Sequence, residues 1–383
     1  MKMELDDEHK MLRENIRSFA ESEIRPKAAE SDRTRKFPHA EVRKCAELGL
    51  MGIMVPEQDG GAAMDSLSYV IIIEEISRVD ASLGVILSVN NSLYSHPITK
   101  FGTPAQKKKY LEPFARGEKV GCYCLTEPDS GSDAGSLRTQ AKLQGDRWIL
   151  NGSKVFVTNG IAADAAIVYA KTDPAAPSSK GISAFIVERT FPGYSVGKPE
   201  TKLGITSSGS VEIVLQNCEV PKENLLGEVD KGFSIALHTL DGGRIGIAAQ
   251  ALGIAQGAFD EALKYSKERK QFGVPISQHQ AIQFYLADMA TEIDAARLLA
   301  YRAARAKDTQ DRYTLEASMA KLFASEVANK VAYKAVQIFG GYGYINEYPV
   351  ERYFRDARIC ELYEGTSEVQ RLVISGQILK QQA

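Results

Sequence analysis

The hydrophobic period of this chain changes twice, and those changes limit its fold more than any other feature. Up to about residue 118 apolar residues recur at helical spacing. Leu12, Ile16, Phe19 and Ala20 mark a first helix, with Ile24 just before Pro26. Val42, Cys45 and Leu48 mark a second, opened by Pro38 and closed by Gly49. Asp65 or Ser66 caps a third through residues 70–76, Ser82 to Ser95 is a fourth, and Thr103-Pro104 opens a fifth. After Gly117 the pattern becomes that of strands. Residues 120–126 read as one, followed by a turn-rich loop. Two β-rich runs, Trp148–Leu150 and Ser153–Thr158, flank Asn151-Gly152, which predicts a type I′ hairpin turn. Further strands are predicted at 166–170, 182–187 and 211–215.

From Gly232 the helical period returns. One long helix is expected over Phe233–Lys267, with Gly242-Gly243 allowing a close approach. Others are expected at about 278–307, 313–339 and 347–379. The predicted fold is therefore α+β and mostly α: an N-terminal helical domain (1–118), a middle antiparallel β domain (119–230) and a C-terminal helical bundle (231–383). Gly340-Gly341-Tyr342-Gly343 follows a helix and not a strand, so it fails the context of a dinucleotide fingerprint.

Composition removes several classes of function. The formal net charge of -2 supplies no basic face for nucleic acid, and Lys107-Lys108-Lys109 reads as a solvated helix face. Cys45, Cys122, Cys124, Cys218 and Cys360 are scattered, which favours buried thiols in a reducing compartment. Neither they nor the histidines have the spacing of a metal site. The acidic N-terminus lacks an apolar signal region, and no apolar run is long enough for a bilayer, so a cytoplasmic protein is expected.

One stretch carries the hint of chemistry. Arg358 to Arg371 sets the carboxylate of Glu364 between Tyr363 and Gly365, with Thr366 and Ser367 following. A carboxylate held among apolar groups has its charged form disfavoured and becomes a better general base near neutral pH. Taken by itself, that window reads first as a solvated loop residue with Gly365 as its turn.

Six motifs in order resemble the acyl-CoA dehydrogenases, and the short-chain (butyryl-CoA) members above all. They are Tyr123–Asp133, Lys154–Gly160, Leu240–Gly246, Glu268–Gly273, Gln337–Gly343 and Tyr363–Glu368, and they span essentially the whole chain. The resemblance implies an FAD enzyme that oxidises an acyl-CoA to its trans-2-enoyl-CoA, passes electrons to an electron-transferring flavoprotein and assembles as a homotetramer. It implies that Glu364 removes the α-proton while hydride leaves Cβ for flavin N5. The base's own backbone N–H and a ribityl hydroxyl then polarise the thioester carbonyl. Tyr123, Leu125, Thr126 and Ser132, then Phe156, Val157 and Thr158, match segments lining the flavin. Arg269, Gln271, Phe272 and Gln280 match pyrophosphate and adenine contacts. Gln337, Ile338, Phe339, Gly340 and Gly341 match a segment reaching a neighbouring subunit's FAD. Thr366 and Glu368 match flavin contacts. Ser132, Asp241, Arg244, Tyr363 and Gly365 match contacts to the acyl-CoA. Asp241 and Arg244 also have the i, i+3 spacing of a simple helix pair.

The sequence departs from the family pattern at Phe156, where tryptophan is common, and at Thr206 and Gly209 in the 203–209 loop. Gly243 stands where some members carry their base, which leaves Glu364 as the candidate. Gly84 stands where the glutaryl branch has an arginine, and residues 81–95 hold no charge, so an uncharged short acyl group is expected. Asn90, Asn91 and Tyr94 either shorten the acyl cavity or pack helices. A branched or cyclic acyl substrate, an acyl-CoA oxidase and a non-catalytic flavin- or acyl-CoA-binding homologue are the alternatives.

Overall fold

A computed structural model describes residues 5–381. The N-terminal part is helical throughout: α1 (Asp7–Phe19), α2 (Arg25–Thr34), α3 (His39–Glu47), α4 (Ser66–Ser77), α5 (Ala81–Ser88), α6 (His96–Phe101), α7 (Pro104–Tyr110) and α8 (Glu112–Ala115). The caps follow the sequence. Asp65 accepts from the Ser68 N–H to start α4, and Thr103 with Gln106 forms a reciprocal capping box on α7. The helix expected over Ser82–Ser95 widens into a π turn from Val89 to Ser95.

The middle part is a sheet of β1 (Gly121–Cys124), β2 (Gln140–Gln144), β3 (Arg147–Val157), β4 (Ala165–Lys171), β5 (Ile182–Glu188), β6 (Tyr194–Pro199), β7 (Val211–Pro221) and β8 (Leu225–Leu226). Strand order is β6-β7-β3-β2-β4-β5-β8, with β1 beside β4. The expectation of a purely antiparallel domain needs correction, because β1 and β2 both pair with β4 in parallel. Loops and turns between them, rather than hairpins alone, return the chain to β4 in the same direction.

The hairpin expected at Asn151-Gly152 is also corrected. β3 runs straight through both residues, and its turn lies at Gly145-Asp146, since Gln144 pairs with Arg147. Asn-Gly instead marks a bulge against β7, where Asn151 Oδ1 accepts the Asn217 N–H at 2.7 Å. Cys122 and Cys124 are buried on one face of β1, as alternation requires.

The C-terminal part is α9 (Gly232–Glu268), a short hairpin of β9 (Lys270–Gln271) and β10 (Val274–Pro275), then α10 (Gln280–Thr309), α11 (Thr314–Phe339), α12 (Val350–Ala357) and α13 (Ser367–Gln381). Every residue of α9 from Gly242 to Ala255 is buried, so this helix is the axis of the molecule. α4, α10 and α11 pack around it. The single helix expected over 347–379 is broken between α12 and α13, and that break carries Glu364. No helix among the described residues is long and apolar enough to cross a membrane.

The 203–209 loop is fastened to both helical parts despite its departures from the family pattern. Thr206 Oγ1 donates to Asp32 Oδ1 at 2.8 Å, Arg355 grips the same carboxylate at 2.7 Å, and buried Asp356 accepts the Ile205 N–H. Burial pushes the Asp356 carboxyl up to about 7, against the pull of Ile205 and Arg352. Its folded value lies above the ordinary 3.8, so its contribution to stability is complete at acidic pH and is lost as pH rises to about 7. Asp356→Ala is expected to cost roughly 1–3 kcal/mol by orphaning the Ile205 N–H. Urea midpoints measured across that pH range should show the loss, with the acid-side dependence flattened.

Candidate active site

Glu364 sits where the backbone cannot stay helical. A 3₁₀ turn over Arg358–Glu361 ends α12, after which Glu364 takes φ +54° and Gly365 φ +93°. A glutamate in the left-handed region is strained by roughly 1–3 kcal/mol and persists only when its surroundings impose it. Here they do. Gln370 Nε2 donates to the carbonyls of Glu364 and Gly365, both at 3.0 Å, and Lys321 Nζ donates to the Gly365 carbonyl at 2.7 Å. Both supporting side chains are 0% exposed. The carbonyls thus face inward, while the Glu364 N–H donates to no group among the described residues.

Glu364 is part-buried, and its carboxylate Oε2 is buried with no hydrogen-bond partner. It lies against the backbone of α9 at Gly243, where an added Cβ would meet Oε2 at 2.1 Å and Leu93 Cδ2 at 2.7 Å. Burial raises its pKa to about 7, opposed by the nearby cations Lys321 and Arg244. Lys321 is itself held down to about 8 by burial. One turn along α9, the space over Gly246 is filled by the Tyr69 hydroxyl, which bonds Ser88 Oγ at 2.9 Å. A further turn on, the Tyr363 hydroxyl bonds Gln250 Oε1.

Asp241 and Arg244 lie beside this pocket and pair at 2.7 Å, as their spacing predicts. Thr314 donates to the second Asp241 oxygen at 2.6 Å and Arg244 reaches Ser318 Oγ at 3.3 Å, while Arg244 Nε is buried without a partner. Tyr123, at the end of β1, is close enough for the Glu364 charge to add to the burial that raises its phenol. Leu125 and Thr126 follow it, with Leu125 8% exposed. Ser132 stands exposed on the next loop. Phe156, at φ +58° and 69% exposed, presents its ring to solvent from the end of β3, beside buried Val157 and part-buried Thr158. Thr366 caps α13 through the Val369 N–H at 3.3 Å, and Glu368 is exposed one turn in.

The remaining expected cofactor residues gather elsewhere. Arg269, Gln271, Ile338, Phe339, Gly340 and Gly341 line an open cleft of about 430 Å³ with Tyr265, Ile276, Tyr342 and Ile345. Glu364 and residues 123–126 are not in its lining. Phe272, 94% exposed at φ +53°, stands edge-on to His279, next to Gln280, and Gln337 is exposed at the end of α11. The residues fit FAD in two respects. The cleft offers an arginine and open glycine backbone suited to a pyrophosphate. Phe156 offers an exposed aromatic ring at the end of β3, and Tyr123 Oη, Arg244 Nε and Glu364 Oε2 are buried polar atoms without partners.

Asn90 and Asn91 do not shape an acyl cavity. Asn90 bonds the Met51 and Phe114 carbonyls and the Gly121 N–H, and Asn91 bonds the Leu50 and Leu87 carbonyls and the Ile53 N–H. Tyr94 packs on Phe114 at 4.5 Å and over Gly121. At Gly84 a Cβ would meet Ser77 Oγ at 2.0 Å, so the position belongs to the contact of α4 with α5. Sequence reading missed Lys321, Gln370, Gln250 and Tyr69. Lys321 had a signal, a lone lysine on the buried face of α11 among Ala317, Ala320, Ala324 and Ala328.

A helical part, a sheet and a helical bundle, with a carboxylate set against the bundle's central helix, match the layout that the sequence resemblance implies for a flavin-dependent oxidoreductase. Comparison with known proteins makes the assignment particular. The chain matches the acyl-CoA dehydrogenase N-terminal domain over residues 6–118, the middle domain over 122–218 and the C-terminal domain over 230–379. It is 53% identical over 378 residues to the mitochondrial short-chain specific acyl-CoA dehydrogenase of Mus musculus, covering 99% of this chain and 92% of that one. Among solved structures it is similar to the butyryl-CoA dehydrogenase of Megasphaera elsdenii, at TM-score 0.96 and 46% identity, covering 99% of this chain and 100% of that one. A chain in a structure of the electron transferring flavoprotein of Acidaminococcus fermentans superposes at TM-score 0.97 with 50% identity, covering 99% of this chain and 100% of that one. The chain belongs to the acyl-CoA dehydrogenase family, whose cofactor is FAD.

Proposed function

We propose that this protein oxidises a short, uncharged acyl-CoA to the trans-2-enoyl-CoA, with Glu364 as the base. The observation that carries the reading is the Glu364 carboxylate, whose unpartnered Oε2 packs against the bare α9 backbone at Gly243, with burial raising its pKa to about 7. A base needs that combination: within reach of a proton, and half deprotonated near neutral pH. The α-proton of a thioester is weakly acidic, so the carbonyl must be polarised as the proton leaves. The unbonded Glu364 N–H is suited to that task, since no group among the described residues takes it. Gly365 leaves room for the thioester. FAD, when bound, supplies the acceptor for the hydride leaving Cβ. Tyr123, Leu125, Thr126, Phe156, Thr158, Thr366 and Glu368 would hold its ring, and Ser132, Asp241 and Arg244 would hold the CoA side of the substrate.

Past the base, Tyr69 with Ser88 and then Tyr363 with Gln250 occupy the face of α9, and on this reading they limit the length of the acyl chain. Flavin bleaching by a panel of saturated acyl-CoA thioesters is expected to favour the four-carbon chain and to fall steeply toward eight carbons; a maximum at eight carbons or beyond would sink the short-chain reading. The matches to proteins named for butyryl-CoA and for electron transferring flavoprotein support this substrate class and that acceptor. The open cleft over Arg269, Gln271 and Phe339–Gly341 is suited to FAD shared across subunits, and we infer a homotetramer.

Lys321 offers a separate test. Its charge lowers the Glu364 pKa, so Lys321→Met is expected to move the acid limb of the kcat/KM profile to higher pH. Activity should drop at mildly acidic pH and recover in part under alkaline conditions. An unshifted limb would mean that the ammonium does not act on the base.

A further inference from the structure

A buried ion pair beneath the residues that follow β1 has no part in the reaction so far described. Lys154, on β3, is 0% exposed; its Nζ lies 2.6 Å from Glu127 Oε1 and donates to the Leu125 carbonyl at 3.2 Å. Glu127 is 6% exposed and also accepts the backbone N–H groups of Arg138 and Thr139. One carboxylate therefore closes the loop that carries Ser132, and the lysine fastens that closure to Leu125. The contacts to Lys154 and to the two N–H groups hold Glu127 below its usual range despite burial, so the carboxylate is charged at neutral pH. An apolar pair would leave the Leu125 carbonyl and the Arg138 and Thr139 N–H groups without these partners, so the pair has a structural role. Burying two charges seldom adds net stability, and the charges are free for a second use.

The peptide between Leu125 and Thr126 supplies one. No peptide bond among the described residues is cis, and in a trans peptide the N–H points opposite to the C=O. With the Leu125 carbonyl on Lys154, the Thr126 N–H is aimed away from the ammonium. It donates to no group among the described residues, whereas the Thr126 carbonyl is taken by the Val155 N–H at 2.9 Å. Hydrogen bonds in series polarise one another, so a cation on the carbonyl strengthens the N–H as a donor.

We propose that Lys154 is a positioning residue for the flavin, acting through the Leu125–Thr126 peptide to favour the electron-rich, reduced cofactor, with Glu127 setting how much of that charge is felt. The proposal rests on the reading that residues 123–126 face the flavin ring.

The reduction potential of FAD in the holoenzyme, titrated spectroelectrochemically without substrate, tests it. Lys154→Met is expected to weaken binding of reduced relative to oxidised FAD about tenfold, which lowers a two-electron potential by about 30 mV. Burial lowers the Lys154 pKa and Glu127 opposes that, so Glu127→Gln is expected to raise the potential in mildly acidic buffer, where the ammonium persists uncompensated, and to lose that rise as the pH increases. The double variant should lie below Glu127→Gln in the acidic buffer. A merely structural pair would shift both single variants in the same direction, and that result, or equal potentials for Glu127→Gln and the double variant, overturns the proposal. Should Lys154→Met fail to fold, the comparison of Glu127→Gln with the neutral pair decides it. Thr126→Ala separates the two readings. An unchanged flavin spectrum means that the segment does not face the ring, whereas a changed spectrum with unmoved potentials means that only the charge coupling fails.

Discussion

Replacing Glu364 with glutamine is expected to lower turnover of a short-chain acyl-CoA by about 10²–10⁴-fold while leaving FAD bound. Glutamine keeps the shape of the side chain, and the hydrogen bonds from Gln370 and Lys321 go to backbone carbonyls, so the strained turn has no reason to rearrange. On the proposed role of Glu364, what disappears is the acceptor for the α-proton. The pH dependence should disappear with it. Burial raises wild-type Glu364 to about 7, and a base acts only when deprotonated. Below that value kcat/KM is therefore expected to fall about tenfold per pH unit, and the residual activity of the variant should be flat there. Stopped-flow bleaching of the flavin reports the chemical step directly. A variant that bleaches at the wild-type rate would remove Glu364 from the role of base, whatever its burial.

Much of the architecture was legible because it follows from periodicity. The switch from a period of 3.6 to a period of 2 and back places the sheet between two helical parts, and single residues such as Asp65 and Thr103 cap where their chemistry allows. The failures have local causes. Asn151-Gly152 has the composition of a hairpin turn, but β7 pairs with the residues on both sides of it, and that long-range pairing turns the dipeptide into a bulge. The helix expected over 347–379 runs through Glu364, although Gly365 carried a turn signal there. Only Gln370 and Lys321, reaching from α13 and α11, impose the left-handed turn, and a sequence window does not contain both. The i, i+3 pairing of Asp241 with Arg244 was readable, yet its position beside Glu364 is a property of how α11 packs on α9. Asn90 and Asn91, two polar residues in an apolar stretch, suggested a cavity, but they satisfy loop carbonyls and N–H groups that the sequence does not show to be buried.

The other large effect is expected from a single methyl group. Gly243→Ala places a Cβ 2.1 Å from Glu364 Oε2 and 2.7 Å from Leu93 Cδ2, distances that packed atoms do not tolerate. Gly243 lies in the fully buried span of α9, so the helix cannot slide away without disturbing its neighbours on every side. No hydrogen bond among the described residues holds the carboxylate, and it is the lighter group to displace. A misplacement of about 1 Å at the reacting atoms is enough for a loss on the order of 10²-fold in kcat/KM, with FAD content preserved. Gly242→Ala, one residue earlier, is the matched control. Its Cβ would meet Tyr313 Oη at 3.7 Å and Lys307 Nζ at 3.9 Å, both ordinary contacts, and alanine favours the helix by up to about 1 kcal/mol. That variant should keep its activity and unfold at an equal or higher temperature. If both alanines leave kcat/KM unchanged, the carboxylate does not occupy the space over Gly243 during turnover. If both abolish it, α9 is generally intolerant of added volume and the specific link between Gly243 and the base fails. Loss at position 243 with activity kept at 242 is the pattern that a base facing the bare backbone of α9 requires.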